Sequence, residues 1–350
     1  MNPLQPSPVH AHAIANWLLA CLVLVALMVA VGGITRLTES GLSIVEWKLV
    51  SGTLPPMSEP AWQAEFDNYK HSPQFLKVNS GFSLADFKGI FWLEYLHRLL
   101  GRVIGLTTLL PLAYFAVRHR LPRALLWRSV GIAALTGAQG TVGWLMVMSG
   151  LDNEPRVAPI KLAAHLLLAF ALFCLILWTR WQVLGATRPC AARPVARLAR
   201  AVFALTLLQI GFGALVAGLR AGLTYTSYPR MDGQWIPDGL YRLHPWWINH
   251  VESVLTVQFQ HRMGALAVVI AIAGLLWAGW RHTPLRATLR HIGALALLQF
   301  MLGVATLLSV VNPWLAIPHQ LMALALLAAL LRLVFLTPLD ANQQRHRIPQ

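Results

Sequence analysis

Acidic residues are scarce in this chain of 350 residues, with 13 Asp and Glu against 28 Lys and Arg. Charge of either sign is low, at 12%, while the hydrophobic fraction is 57%. That balance excludes an ordinary soluble domain, in which about 25% of residues are charged. The net charge of +15 would point to nucleic acid in a soluble protein. Here its placement follows membrane topology instead, and no nucleic-acid partner is expected. Cysteine is scarce too. Cys21 and Cys174 lie inside apolar runs and Cys190 lies in a basic loop, so neither a disulfide framework nor metal-type spacing is present. The first two read as small apolar fillers. The opening stretch MNPLQPSPVHAHAIAN has no basic n-region and no Arg-rich amphipathic pattern. It is not read as a cleaved signal or transit peptide, and the first apolar run is expected to remain as a helix.

What the chain does have is long apolar runs. Eight of them, near 14–35, 93–117, 129–149, 162–181, 201–220, 259–280, 291–311 and 319–337, approach the ~20 residues that cross a bilayer as a helix. The loops after the second, fourth and sixth runs carry Arg118, Arg120, Arg123 and Arg128, then Arg180, Arg188, Arg193, Arg197 and Arg200, then Arg281, Arg286 and Arg290. Those loops contain no acidic residue. Of all the Asp and Glu, only Asp340 falls on their side of the membrane. A Lys and Arg bias in short loops marks the cytoplasmic side. Both termini are therefore expected in the cytoplasm of a bacterium, with the protein in the inner membrane and the long loops 36–92 and 221–258 facing outward.

The two halves repeat with the same polarity. Gly32-Gly33-Ile34-Thr35-Arg36 answers Ala217-Gly218-Leu219-Arg220, and Pro55-Pro56-Met57 answers Pro229-Arg230-Met231. His97-Arg98 answers His261-Arg262, Gln139 with Gly143 answers Gln299 with Gly303, and His165 answers His319. The pattern predicts an all-α membrane protein of two tandem four-helix bundles, related by a pseudo-two-fold axis along the membrane normal. Residues 1–182 form one half, 183–200 a basic cytoplasmic linker and 201–350 the other half.

His97, His165, His261 and His319 each stand near the start of an even-numbered run, all on the outer side. Imidazole is the commonest nitrogen ligand for metals, and facing histidines in a bundle can hold a haem iron. A lone polar residue at a helix end would be unremarked, but the fourfold repetition inside a membrane favours function. Zinc is the weaker reading, because it wants three or four clustered ligands. Arg98, Arg102 and Arg262 are candidate contacts for haem propionates; snorkelling, or an Arg98–Glu94 pair four residues apart, would explain them as well. His71, His244 and His250 have no partner in the repeat and are expected to face solvent. The loop aromatics Trp47, Trp62, Phe66, Tyr69, Phe75, Trp235, Tyr241, Trp246 and Trp247 fit either a cap over each bundle or interfacial anchoring. One difference between the halves stands out: Glu94 precedes His97 by three residues where Gln258 precedes His261. A carboxylate on one side and an amide on the other suggests a division of labour.

The motifs GGITRLTESGLS, EYLHRLLGR, LVAGLRAG, SYPRMDG and QHRMG, in this order and with His165 and His319, resemble the haem A synthase family from about Val29 through His319. The resemblance implies oxidation of the C8 methyl of haem O to a formyl group, giving haem A for terminal oxidases. It implies His97 and His165 as ligands of the substrate haem, and His261 and His319 as ligands of a haem b cofactor. It also implies an essential role for Glu94, acting on protons or on a cationic intermediate during successive hydroxylations. Residues 36–92 lack the cysteine pair of some members, so the chain resembles the cysteine-free branch. A haem O synthase that hands over substrate, an electron-transfer partner and self-association are the partners the resemblance allows. The competing classes are a di-haem b-type electron carrier and a haem transporter. Glu94 separates the leading reading from the electron carrier, which has no evident use for it. Tightly held haem b in the second half would argue against a transporter.

Overall fold

The computed structural model describes residues 4–48, 51–152, 154–186 and 193–339. Arg188, Cys190 and Asp340 lie outside the described residues. Helices dominate: α1 (Pro8–Leu37), α2 (Glu59–Lys70), α3 (Pro73–Lys77), α4 (Leu84–Val117), α5 (Arg123–Leu151), α6 (Pro159–Val183), α7 (Arg193–Gly218), α8 (Asn249–Glu252), α9 (Val254–Gly279), α10 (Arg286–Leu308) and α11 (Pro313–Leu336). Among the described residues eight helices are long and apolar enough to cross a membrane, α1, α4, α5, α6, α7, α9, α10 and α11. Their outward faces carry large apolar side chains such as Trp127, Ile270, Trp277 and Leu297, all more than 60% exposed. Apolar exposure on that scale marks a surface made for lipid, and the chain is a multi-pass membrane protein.

The spanning helices close into two rings. In the first, α1 packs on α4 and α6, and α5 packs on α4 and α6; in the second, α7 packs on α9 and α11, and α10 packs on α9 and α11. Each ring has its own apolar core, one around Ile14, Leu18, Ile132 and Ile176, the other around Val202, Ile272, Leu289 and Leu330. Helices α6 and α7, and α1 and α11, join the rings along a seam filled by Val29, Phe170, Ile210 and Leu327.

Most helices begin earlier than the apolar runs indicate, and α4 differs most. Ser83 and Asp86 form a capping box: Ser83 N–H donates to the Asp86 carboxylate at 2.9 Å, and Asp86 N–H donates to Ser83 Oγ at 3.3 Å. This satisfies the free N–H groups of the first turn and starts the helix at Leu84 rather than 93. Asp86 and Lys88 interrupt the apolar pattern there, so hydropathy alone misses the extension. As a result His97 lies several turns inside α4. His165, His261 and His319 likewise lie one to two turns inside α6, α9 and α11, not at helix starts.

The added turns of α4 serve a cap. Phe87, Phe91 and Tyr95 pack with Trp62, Phe66 and Tyr69 of α2 in a buried cluster. Each such ring removed from water contributes about 1.5–3 kcal/mol. Tyr69 Oη donates to Gln74 at 3.1 Å and accepts from Asn79 at 2.8 Å, while Gln74 Nε2 donates to Glu39 O at 2.7 Å. The cap is thereby tied to the end of α1. In the second half Trp235, Tyr241, Trp246 and Trp247 are exposed, as anchors at a membrane interface would be. Apart from Trp47, which is exposed, the two explanations of the aromatics divide between the two loops.

Candidate functional site

Each of the four histidines sits against a glycine of a neighbouring helix. A Cβ at Gly32 of α1 would lie 3.4 Å from His97 Nε2, and one at Gly143 of α5 would lie 2.8 Å from His165 Cε1. In the second ring the distances are 3.0 Å from Gly213 of α7 to His261 Cε1 and 2.8 Å from Gly303 of α10 to His319 Cε1. The missing side chains are what let the imidazoles come this close to the adjoining helix. In the second ring both imidazoles border one cavity. A Gly303→Ala protein is expected to have its His319 ring displaced, because a contact of that length leaves no room for the added methyl. A changed chemical shift of the His319 ring against an unchanged His165 checks this.

Glutamine stands four residues before three of these glycines, as Gln139, Gln209 and Gln299, and Met28 takes that place before Gly32. Gln139 Nε2 donates to His165 O at 3.0 Å and lies 3.2 Å from the ring. Gln209 Nε2 donates to His261 O at 2.8 Å and lies 2.9 Å from Nδ1. His319 Nδ1 lies 3.2 Å from the main-chain oxygen of Gln299. Such outer partners fix ring orientation and tautomer. Gln209 and Gly213 were missed in the sequence, although the Gln-x-x-x-Gly spacing occurs there for a third time. The reason is register: matching Arg36 to Arg220 slides α7 out of step. Judged by the histidine each faces, Gly32 corresponds to Gly213. Glu39 and Arg220 then correspond as the left-handed residues closing α1 and α7, at φ 55° and 54°.

A cavity of about 390 Å³ opens in the second ring. His261 and His319 flank it, Ile210, Val268, Phe300 and Leu326 give it apolar walls, and Gln258, Arg262, Arg36, Glu39 and Arg220 gather around it. An apolar chamber with a few convergent polar groups is the usual form of a cofactor site. It fits a flat, amphiphilic, iron-bearing ring: two facing imidazoles, greasy walls and cationic groups. Among the described residues no group of three His, Cys, Asp or Glu could hold a metal ion; the histidines come in pairs.

The residues around His97 form a clamp on the long loop. Glu94 is 2% exposed and its carboxylate accepts five hydrogen bonds. Oε2 takes Ser43 N at 2.7 Å, Ser43 Oγ at 2.7 Å and Ile44 N at 2.9 Å; Oε1 takes Arg98 Nε at 2.9 Å and Nη2 at 2.6 Å. Arg98 also donates to Ile44 O at 2.8 Å and stacks on Trp47 at 4.9 Å. Arg102 donates to Lys48 O at 2.9 Å. The second half has a counterpart: Gln258 Nε2 and Arg262 Nη2 both donate to Tyr225 O at 2.8 Å, and Arg262 Nη1 donates to Ser227 O at 2.8 Å. Arg98 and Arg102 thus spend these donors on loop carbonyls and on Glu94. Arg262 does the same with its Nη groups and still borders the cavity. His71 and His244 are exposed as expected. His250 is instead half-buried between Tyr241 and Trp246, with Gln260 Nε2 at 2.6 Å from its Nδ1.

Fold and site together define a polytopic helical membrane protein with a histidine pair in the core of each ring. Residues 15–331 match the family described as cytochrome oxidase assembly protein, and the chain belongs to that family. It is similar to proteins named heme A synthase from several bacteria. The one from Parvibaculum lavamentivorans is 45% identical over 320 residues, covering 91% of this chain and 93% of the relative. The one from Beijerinckia indica is 47% identical over 324 residues, covering 90% of each. The one from Rhodopseudomonas palustris strain BisA53 is 48% identical over 339 residues, covering 93% of this chain and 92% of the relative.

Proposed function

We propose that this protein is a haem A synthase, a membrane oxidoreductase that converts haem O to haem A. The observation that carries this is near-full-length identity to proteins of that name. The paired histidines on glycine shelves support the same reading. A strain lacking its own haem A synthase should regain haem A, seen in its membrane spectra, when given this chain. Full-length, membrane-inserted protein without haem A would refute it.

In finer terms, the first half (residues 1–182) would take haem O with His97 and His165. The second half would hold haem b with His261 and His319, and the segment between the end of α6 at Val183 and the start of α7 at Arg193 connects the halves. Haem b, when bound, supplies one-electron chemistry. His261 and His319 bring imidazole nitrogens from α9 and α11, and Gly213 and Gly303 leave room for both rings. Gln209 orients His261 by gripping its carbonyl. In the first half Glu94 stands three residues before His97, its carboxylate ion-paired with Arg98. Five donors hold that carboxylate, so it needs no rearrangement when positive charge develops nearby, which is the condition for effective electrostatic stabilisation. Gln258 offers no such charge in the second half.

The arginine distribution supports an inner-membrane protein with both termini in the cytoplasm. The long-loop end, where all four histidines lie, is then the outer face. Haem O reaches the first half from the lipid or from a haem O synthase, and an electron-transfer partner completes the redox cycle. A di-haem electron carrier is the competing reading. Loss of haem A formation in Glu94 variants that keep normal haem spectra would count against it.

A further inference from the structure

We infer that the long-loop end of the second-half cavity is a carboxylate subsite built from Arg36, Arg220 and Arg262, with Arg36 reaching in from the first half. The inference rests on the reading that this cavity takes a haem, and it assigns residues to the propionates.

Three observations converge. All three arginines border the cavity, and each keeps a buried Nε–H with no hydrogen-bond partner. A buried donor left unpaired costs roughly 1–3 kcal/mol, so three at one place call for an acceptor. Each has at least one Nη group bonded elsewhere, which restrains the guanidinium planes. Arg36 Nη2 donates to Ala217 O at 2.7 Å and to Gly218 O at 3.3 Å. Arg220 Nη2 pairs with Glu39 Oε2 at 2.6 Å, and Arg262 holds the carbonyls of Tyr225 and Ser227.

Charge tells the same story. Among the lining residues Glu39 is the sole carboxylate facing these three guanidinium groups. Two positive charges remain unbalanced, the complement of a ligand with two carboxylates. Arg156 is close enough to Arg36 to add to the positive field. Guanidinium is suited to carboxylate because its N–H groups form a planar fork.

The subsite also joins the halves. Arg36 and Glu39 belong to the end of α1, whereas Arg220 and Arg262 belong to the end of α7 and to α9. Glu39 and Arg220, the corresponding residues of the two halves, bind each other across the seam. A ligand seated here touches both halves, so its binding should be felt in the first half.

The test uses full-length protein freed of haem and compares binding of haem b with that of its dimethyl ester, followed by absorbance. The ester is expected to bind at least about tenfold more weakly, since tenfold corresponds to 1.4 kcal/mol. Arg36→Gln and Arg220→Gln should each weaken haem b binding and narrow its margin over the ester. Both should also lower the midpoint potential of the bound haem, because removing a nearby cation favours the oxidised iron. Unchanged ester affinity in the variants shows an intact cavity. Equal binding of acid and ester by the unaltered protein overturns the inference, and so do variants that keep both margin and potential. His261→Ala separates the two levels: if it binds haem b as the unaltered protein does, the underlying reading of the cavity fails instead.

Discussion

A Glu94→Gln protein is expected to keep its bound haem and to lose conversion of haem O by roughly a hundredfold or more, as removal of a preorganised charge does elsewhere. All five groups around Glu94 are hydrogen-bond donors. An amide presents one acceptor oxygen and one donor nitrogen. Either Ser43 and Ile44 or Arg98 must then face an NH₂ group, and Arg98 loses its only ion-pair partner among the described residues. Breaking one side of a buried ion pair costs about 3–5 kcal/mol, so residues 43–46 should loosen from α4. The imidazoles rest on Gly32 and Gly143 and not on Glu94, which is why binding survives. Haem content and product formation are measured on the same preparation. A Glu94→Gln protein with unchanged conversion would remove Glu94 from the chemistry.

His261→Ala and His319→Ala are expected to empty the second half of haem b while leaving the first-half site intact. Each ring is supplied by one helix and shelved by one glycine, and no other histidine lines this cavity. Truncation removes a ligand, and no neighbouring side chain of this cavity offers another imidazole. Haem b per protein should fall several-fold at least, judged by the tenfold to hundredfold effects typical even of outer-shell changes. Full retention would contradict the ligand assignment. Paired substitutions at His97 and His165 should spare haem b, which makes the two halves mutual controls.

The helical architecture was legible because lipid demands it. A chain must satisfy its backbone hydrogen bonds internally to cross a bilayer, so eight apolar runs become eight helices. The four histidines were legible through repetition. What escaped was set by local or tertiary chemistry. The start of α4 depends on the Ser83–Asp86 capping box, which hydropathy hides. The register of α7 follows the contact of Gly213 with His261, whereas the eye is drawn to the arginine that follows. The inward role of Arg36 is invisible without the seam, since its partners Ala217 and Gly218 lie on the other half. Arg98 shows the opposite case: its pairing with Glu94 was readable from their spacing, and the structure adds the loop that the pair holds down.

The function is tested most directly by haem extraction. The chain is produced in a host that makes haem O but no haem A, and the extracted haems are separated by chromatography. Haem A, or a hydroxylated precursor of it, should appear beside haem b and should be absent from the Glu94→Gln protein. Folded, haem-loaded protein yielding only haem O and haem b would contradict it.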